Sequence, residues 1–116
     1  MKPDRRTIGR LAEDLAVDLL SRNGARIVAR NLVVKGGEVD VIAEIDHTRV
    51  VVEVRSITGR DGPGTLPSAH PLDAFDEAKA RQVRRLASML GCNRVDLVAV
   101  RFHRGGVDLH WVRNIR

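Results

Sequence analysis

The sequence predicts an α/β fold: a mixed sheet of about five strands with two main helices against it, in the order α-β-β-β-α-β-β. Three observations lead there. Two segments carry apolar residues at i, i+3, i+4 spacing. Five short segments are rich in Val and Ile. Gly-containing turns separate most of them. A chain of 116 residues with 43% apolar content is expected to form one domain with a real core.

Thr7 is the expected N-cap of the first helix, whose stripe runs through Ile8, Leu11, Ala12, Leu15, Ala16, Leu19 and Leu20. Asn23-Gly24 ends it with residues that tolerate a left-handed terminus. "ARIVAR" (25–30) reads as a strand, followed by Asn31, a short "LVVK" and a Gly36-Gly37 turn. "EVDVIAEI" and "RVVVEVRSI" form a hairpin around a tight connection, with His47-Thr48 as the two-residue loop. The Gly- and Pro-rich segment over 58–72 is expected to be a flexible loop. Asp76 is positioned to cap a second helix over 77–90, closed by Gly91. "RVDLVAVRFH" and "VDLHWVR" complete the sheet around Gly105-Gly106.

Composition narrows the function. Twenty basic side chains face 15 acidic ones, and 17 of the 20 are arginine, whose planar fork matches phosphate. A net charge of +5 favours a polyanionic partner, nucleic acid above all, although an arginine-rich proteome would give the same count. Only Phe75, Phe102 and Trp111 are aromatic, too few stacking platforms for a single-strand binder. Duplex or branched DNA, held by its phosphates, stays open. Cys92 has no partner for an internal disulfide, and the charged N-terminal stretch is not a secretory signal, so the expected setting is the reducing cytoplasm. No apolar run is long enough for a membrane span.

The hairpin carries the chemistry. Strand alternation puts Asp40 on one face of the first strand and Glu53 and Arg55 on one face of the second, and the expected register brings all three to the same side. That register sets residue 55 opposite 40 and residue 53 opposite 42. Two converging carboxylates repel unless a positive charge separates them. Arg55 is one candidate; a Mg²⁺ ion, with the Val54 carbonyl as a further ligand, is another. The plainer reading is a cross-strand Asp40–Arg55 ion pair with Glu53 solvated beside it. Glu13 flanks the apolar arc of the first helix, where it either points to the hairpin carboxylates or is a solvated border residue. Gly9, on the same side, suggests close backbone packing. Lys79 falls inside the buried arc of the second helix, a conflict typical of functional sites, unless its stem packs while its ammonium reaches water. Arg81, Arg84 and Arg85 form either a solvated face or a brace for phosphates. Asp96 suits a structural hydrogen bond, Trp111 the core.

Gly9, Glu13 and Ala16 in "G-x-x-x-E-x-x-A", then "ARN" (29–31), "GEVDVIA" (37–43), "VVVEV" (50–54), Lys79 and "VDLVAV" (95–100) together resemble the YraN-like bacterial proteins over nearly the whole chain. The resemblance implies a restriction-endonuclease-like, PD-(D/E)XK fold similar to that of archaeal Holliday junction resolvases. It implies that Asp40 and Glu53 are metal ligands, that Glu13 completes the shell, and that Lys79 is the family's lysine on the second helix. Glu38 matches the glutamate of the family's signature. The chain departs from the pattern where the motif lysine is Arg55 and a later arginine is Ile57. Leu32 replaces an aromatic residue and Ala12 a glycine.

Two functional expectations result. One is a Mg²⁺- or Mn²⁺-dependent DNA phosphodiesterase, with Asp40, Glu53, Arg55 and Lys79 as catalytic residues. The other is a weak or inactive nuclease fold that binds DNA through Lys79, Arg81, Arg84 and Arg85, because arginine cannot serve as a base. A protein-interaction partner without nucleic acid is a third class. Resolvase-like relatives suggest, by analogy, a homodimer.

Overall fold

The structure, a computed structural model, describes residues 4–58 and 76–115. Helix α1 spans Arg5–Arg22, followed by strands β1 (Arg26–Val34), β2 (Gly37–Ile45) and β3 (Thr48–Thr58). Helix α2 (Glu77–Met89) precedes β4 (Arg94–His103) and β5 (Gly106–Val112). This is the predicted element order. Beyond Thr58, the expected loop over 58–72 lies outside the described residues. No helix among the described residues is long and apolar enough to cross a membrane.

The strands lie in the order β1-β2-β3-β4-β5. Only β3 and β4 pair in parallel. A parallel pair needs a crossover, and α2 lies within it. The helices cover opposite faces. Ala12, Ala16 and Leu20 of α1 bury themselves on Val41, Ala43, Val50, Val52 and Val98. Ala80, Val83 and Leu86 of α2 pack on Val39, Ile42, Val51 and Leu97.

Several local expectations are corrected. The N-cap of α1 is Asp4, not Thr7: the Asp4 carboxylate accepts from the Thr7 N–H at 2.8 Å, starting the helix three residues earlier. Gly9 does not mediate close packing, because a Cβ built there meets nothing within 4 Å. "ARIVAR" and "LVVK" are one strand carrying Asn31 at φ 51°. The hairpin loop is Asp46-His47, at φ 51° and 65°, with Ile45 paired to Thr48. Two consecutive left-handed residues match a primed two-residue turn, which fits the twist of the strands it joins. The register therefore moves by two residues from the expected one. Val41 pairs with Val52, and one further step sets Glu53, not Arg55, across from Asp40. A shift of two leaves the facing unchanged, so Asp40 and Glu53 still meet.

Gly37 opens β2 at φ +156°, and a Cβ there would lie 3.0 Å from Gln82 Nε2 and 3.1 Å from Leu86 Cδ1. Gly37→Ala is expected to lower stability by about 1–2 kcal/mol, through left-handed strain and the displaced Leu86, as read by urea denaturation. An unchanged midpoint would contradict this packing.

Asp96 is fully buried in β4. Its carboxylate accepts from Arg94 Nε and Nη2 at 2.8 Å each, from Trp111 Nε1 at 2.9 Å and from the Asn114 N–H at 2.8 Å. The structural role expected for Asp96 is this one. Trp111 is half-buried and packs against the core under α1, as expected, with the Arg113 guanidinium 3.9 Å from its ring centroid.

Candidate active site around Asp40 and Glu53

A break in strand alternation builds the site. Val39 and Val41 are two residues apart, yet Val39 packs under α2 and Val41 under α1. The residue between them is Asp40. Across the ladder, Leu32 pairs with Val39 and Arg30 with Val41, while Asn31 and Asp40 between them form no pair. Asn31 has left-handed backbone at that point. The reversal leaves Asp40 where groups from both faces can approach it. Its Oδ2 accepts the Val54 N–H at 2.9 Å, tying β2 to β3.

Glu53 comes from the α2 side and is only 4% exposed. Burial pushes its carboxyl up to about 9, reinforced by a hydrogen bond and repulsion from Asp40 and partly offset by Lys79 and Arg55. Lys79 Nζ lies 4.0 Å from Glu53 Oε2. The lysine stands in the first turn of α2, where Asp76 caps the helix by accepting from the Lys79 N–H at 2.8 Å.

Glu13 approaches from α1. Burial, then the charge of Asp40, raises its carboxyl; the Asn31 side chain and Arg30 act the other way, and Glu38 adds repulsion. Arg30 Nη2 sits 3.9 Å from Glu13 and 2.7 Å from Asp14. Glu13 Oε1 and Arg55 Nε are buried without a hydrogen-bond partner, and such orphaned groups are rare unless a ligand completes them.

The structure thus brings Asp40, Glu53 and Lys79 together, with Glu13 near Asp40 and Arg55 near Glu53. Val54 takes part through its N–H. The arginines divide. Arg81 and Arg85 line a hollow of about 610 Å³ with Lys79 and Gln82, whereas Arg84 lines a separate one of about 660 Å³ with Ser88, Cys92 and Asn114. Arg30 and Asn31 entered the sequence reading only through the "ARN" motif, with no role assigned to either. The available signal was an asparagine, tolerant of left-handed backbone, inside a β-branched run.

The donors suit a hard divalent cation: two oxygen carboxylates in contact, next to a third. Magnesium commonly takes one or two carboxylates and keeps several waters. As the side chains stand, no group of three His, Cys, Asp or Glu among the described residues is gathered for a metal ion.

Known proteins resemble this chain closely in sequence. One relative from Thermotoga neapolitana, a UPF0102 protein, is 38% identical over 98 residues, 78% of this chain and 84% of that one. Another, from Mycobacterium avium, is 39% identical over 107 residues, 84% of this chain and 79% of that one. Among solved structures, SSO0001 aligns over 96% of this chain and 53% of its own, at 16% identity and a TM-score of 0.44. That likeness is too loose to carry an argument. The profile of the uncharacterised protein family UPF0102 matches residues 12–100, which include Glu13, Asp40, Glu53 and Lys79. The chain belongs to UPF0102, the YraN-like family that its motifs predicted.

Proposed function

We propose that this protein is a metal-dependent endonuclease acting on DNA, with a restriction-endonuclease-like PD-(D/E)XK core. The observation that carries the reading is the contact of Asp40 with buried Glu53, with the Lys79 ammonium 4.0 Å from Glu53. Asp40, Glu53 and Glu13 would hold Mg²⁺ or Mn²⁺, and the Val54 carbonyl is a further oxygen donor within reach of the motif. A bound ion would supply an acidified water and charge stabilisation at phosphorus.

The chain's own groups do the rest. The Val54 N–H fixes the Asp40 carboxylate. Burial holds the Glu53 carboxyl up at about 9, and it would give up that proton to ligate a cation. Lys79, half-buried, presents a point charge beside the acidic pair, where a phosphate oxygen would stand. Arg55 stays charged and cannot take a proton, so its role is electrostatic; its buried Nε has a free donor for a phosphate oxygen. Lys79, Arg81 and Arg85 around one hollow give the DNA backbone a cationic support.

The test is incubation of pure protein with labelled duplex and four-way-junction DNA, with Mg²⁺, Mn²⁺ or EDTA. Metal-dependent cleavage is expected, lost in Asp40→Ala and reduced roughly 10²-fold in Lys79→Ala. No cleavage under any condition, or equal cleavage by Asp40→Ala, refutes the enzyme reading. Arg55 at the motif lysine position favours a second reading, DNA binding without turnover. In that case affinity falls with salt by about one log–log unit per phosphate contact. Arg81→Ala/Arg85→Ala lowers that slope, and cleavage stays absent.

A further inference from the structure

We propose that Arg6 and Arg10 of α1 form a second phosphate-binding strip, so that a DNA strand entering the Asp40–Glu53 site is gripped on both sides of it. The inference rests on the DNA-directed reading above and adds to it the path of the substrate.

Three observations lead there. Arg6, Arg10 and Glu13 stand at i, i+4 and i+7 of α1, so they share one stripe of the helix. That stripe runs into the site: Arg30, paired across the strands with Val41 next to Asp40, has its Nη2 3.9 Å from Glu13. At about 1.5 Å of rise per residue, Arg6 lies about 10 Å along the axis from Glu13. One DNA strand carries a phosphate about every 3.4 Å of axis, so this length covers about three phosphates.

The second observation is charge. Arg6 and Arg10 are exposed, and neither forms an ion pair among the described residues. Asp4 lies near Arg10, but its carboxylate also accepts the Thr7 N–H as the helix cap. The first turn holds no acidic residue. Further along, acids and arginines are matched: Arg22 with Asp18 at 3.0 Å, Arg30 with Asp14 at 2.7 Å, and Arg26 with Glu44 at 3.0 Å. The excess positive charge of α1 is therefore at the end that leads away from Glu13.

The third is the opposite flank. Lys79, Arg81 and Arg85 line one hollow on the α2 side, and the two helices cover opposite faces of the sheet. Two cationic arms thus approach the acidic pair from either side. The carboxylates by themselves repel a polyanion, and flanking cations offset that repulsion. Arginine's planar fork takes phosphate oxygens in pairs.

The experiment compares the parent, Arg6→Ala/Arg10→Ala, Arg81→Ala/Arg85→Ala, the quadruple variant and a control, Arg22→Ala/Arg26→Ala, which removes the same charge from matched pairs. Affinity for labelled duplex DNA is measured in EDTA over a salt series, and folding by thermal denaturation. Arg6→Ala/Arg10→Ala is expected to melt close to the parent and to lower the log–log salt slope by roughly two units. The quadruple variant should lose roughly four, and the control should bind like the parent. A parent-like slope in Arg6→Ala/Arg10→Ala, or an equal loss in the control, overturns the proposal and leaves the nuclease reading standing. The expected slopes in a protein that cuts nothing with any metal remove the nuclease reading and uphold this one. A folded parent that binds no duplex at low salt removes both.

Discussion

Asp96→Ala is expected to destabilise the protein by about 3–5 kcal/mol, the usual result of removing one partner of a buried, hydrogen-bonded ion pair. Asp96 has no solvent exposure, and its carboxylate takes four hydrogen bonds from three residues. It joins the start of β4 to Trp111 of β5 and to the chain beyond that strand. Alanine would leave the Arg94 guanidinium, Trp111 Nε1 and the Asn114 N–H without their acceptor, and orphaned buried donors carry the full desolvation penalty. Urea denaturation measures the loss. Should Asp96→Ala not fold, Trp111→Phe removes a single donor and should cost about 1–2 kcal/mol. A loss below about 1 kcal/mol in Asp96→Ala would contradict the network.

The pH dependence has a definite sign. Burial alone would raise the Asp96 carboxyl, but Arg94, the Asn114 N–H and Trp111 outweigh it and hold the group below the ordinary range. A depressed folded-state value means that the network's contribution is complete above about pH 4 and is lost as pH falls through the folded value. Asp96→Asn should blunt that acid-side loss.

Glu53→Gln is expected to stabilise the metal-free protein at pH 8 by about 1–3 kcal/mol, while abolishing its response to divalent cations. The Glu53 carboxyl titrates at about 9 in the folded protein, against an ordinary 4.5. The folded state therefore keeps a proton that the unfolded chain releases, and stability falls as pH rises between those two values. Glutamine carries the neutral form permanently and removes most of this slope. Glu13, also raised, accounts for a remainder of the same sign. Under the proposed metal-site reading, Mn²⁺ is expected to reverse the order: the parent should gain stability as ligand binding requires, and Glu53→Gln should not. Denaturation curves from pH 5 to 9, with and without Mn²⁺, check both halves. A flat metal-free profile in the parent would contradict a protonated Glu53.

Much of this site was legible in the chain. Strand parity assigned Asp40 and Glu53 to one location, and the two-residue error in register left that parity untouched as far as Val41↔Val52, although the turnover at Asp40 lies beyond what parity records. Lys79 stood out because an ammonium among Val83, Leu86 and Ala87 conflicts with the apolar arc. The cap of α1 was misplaced because Asp4 and Thr7 are both good caps three residues apart, and local sequence does not rank them. The turnover at Asn31 was out of reach, since alternation assumes that every residue in a strand is extended.

By itself, the sequence determined the element order, the apolar faces and the identity of the acidic pair. These follow from periodicity and parity, which are properties of a few neighbouring residues. Only the tertiary structure decided that Glu13 and Glu53 reach Asp40 from opposite faces, that Arg84 lines a different hollow from Arg81 and Arg85, and that Asp96 collects its donors from residues 94, 111 and 114. Each of these depends on where distant segments pack. One left-handed residue can invert a strand's facing, and no local pattern records it.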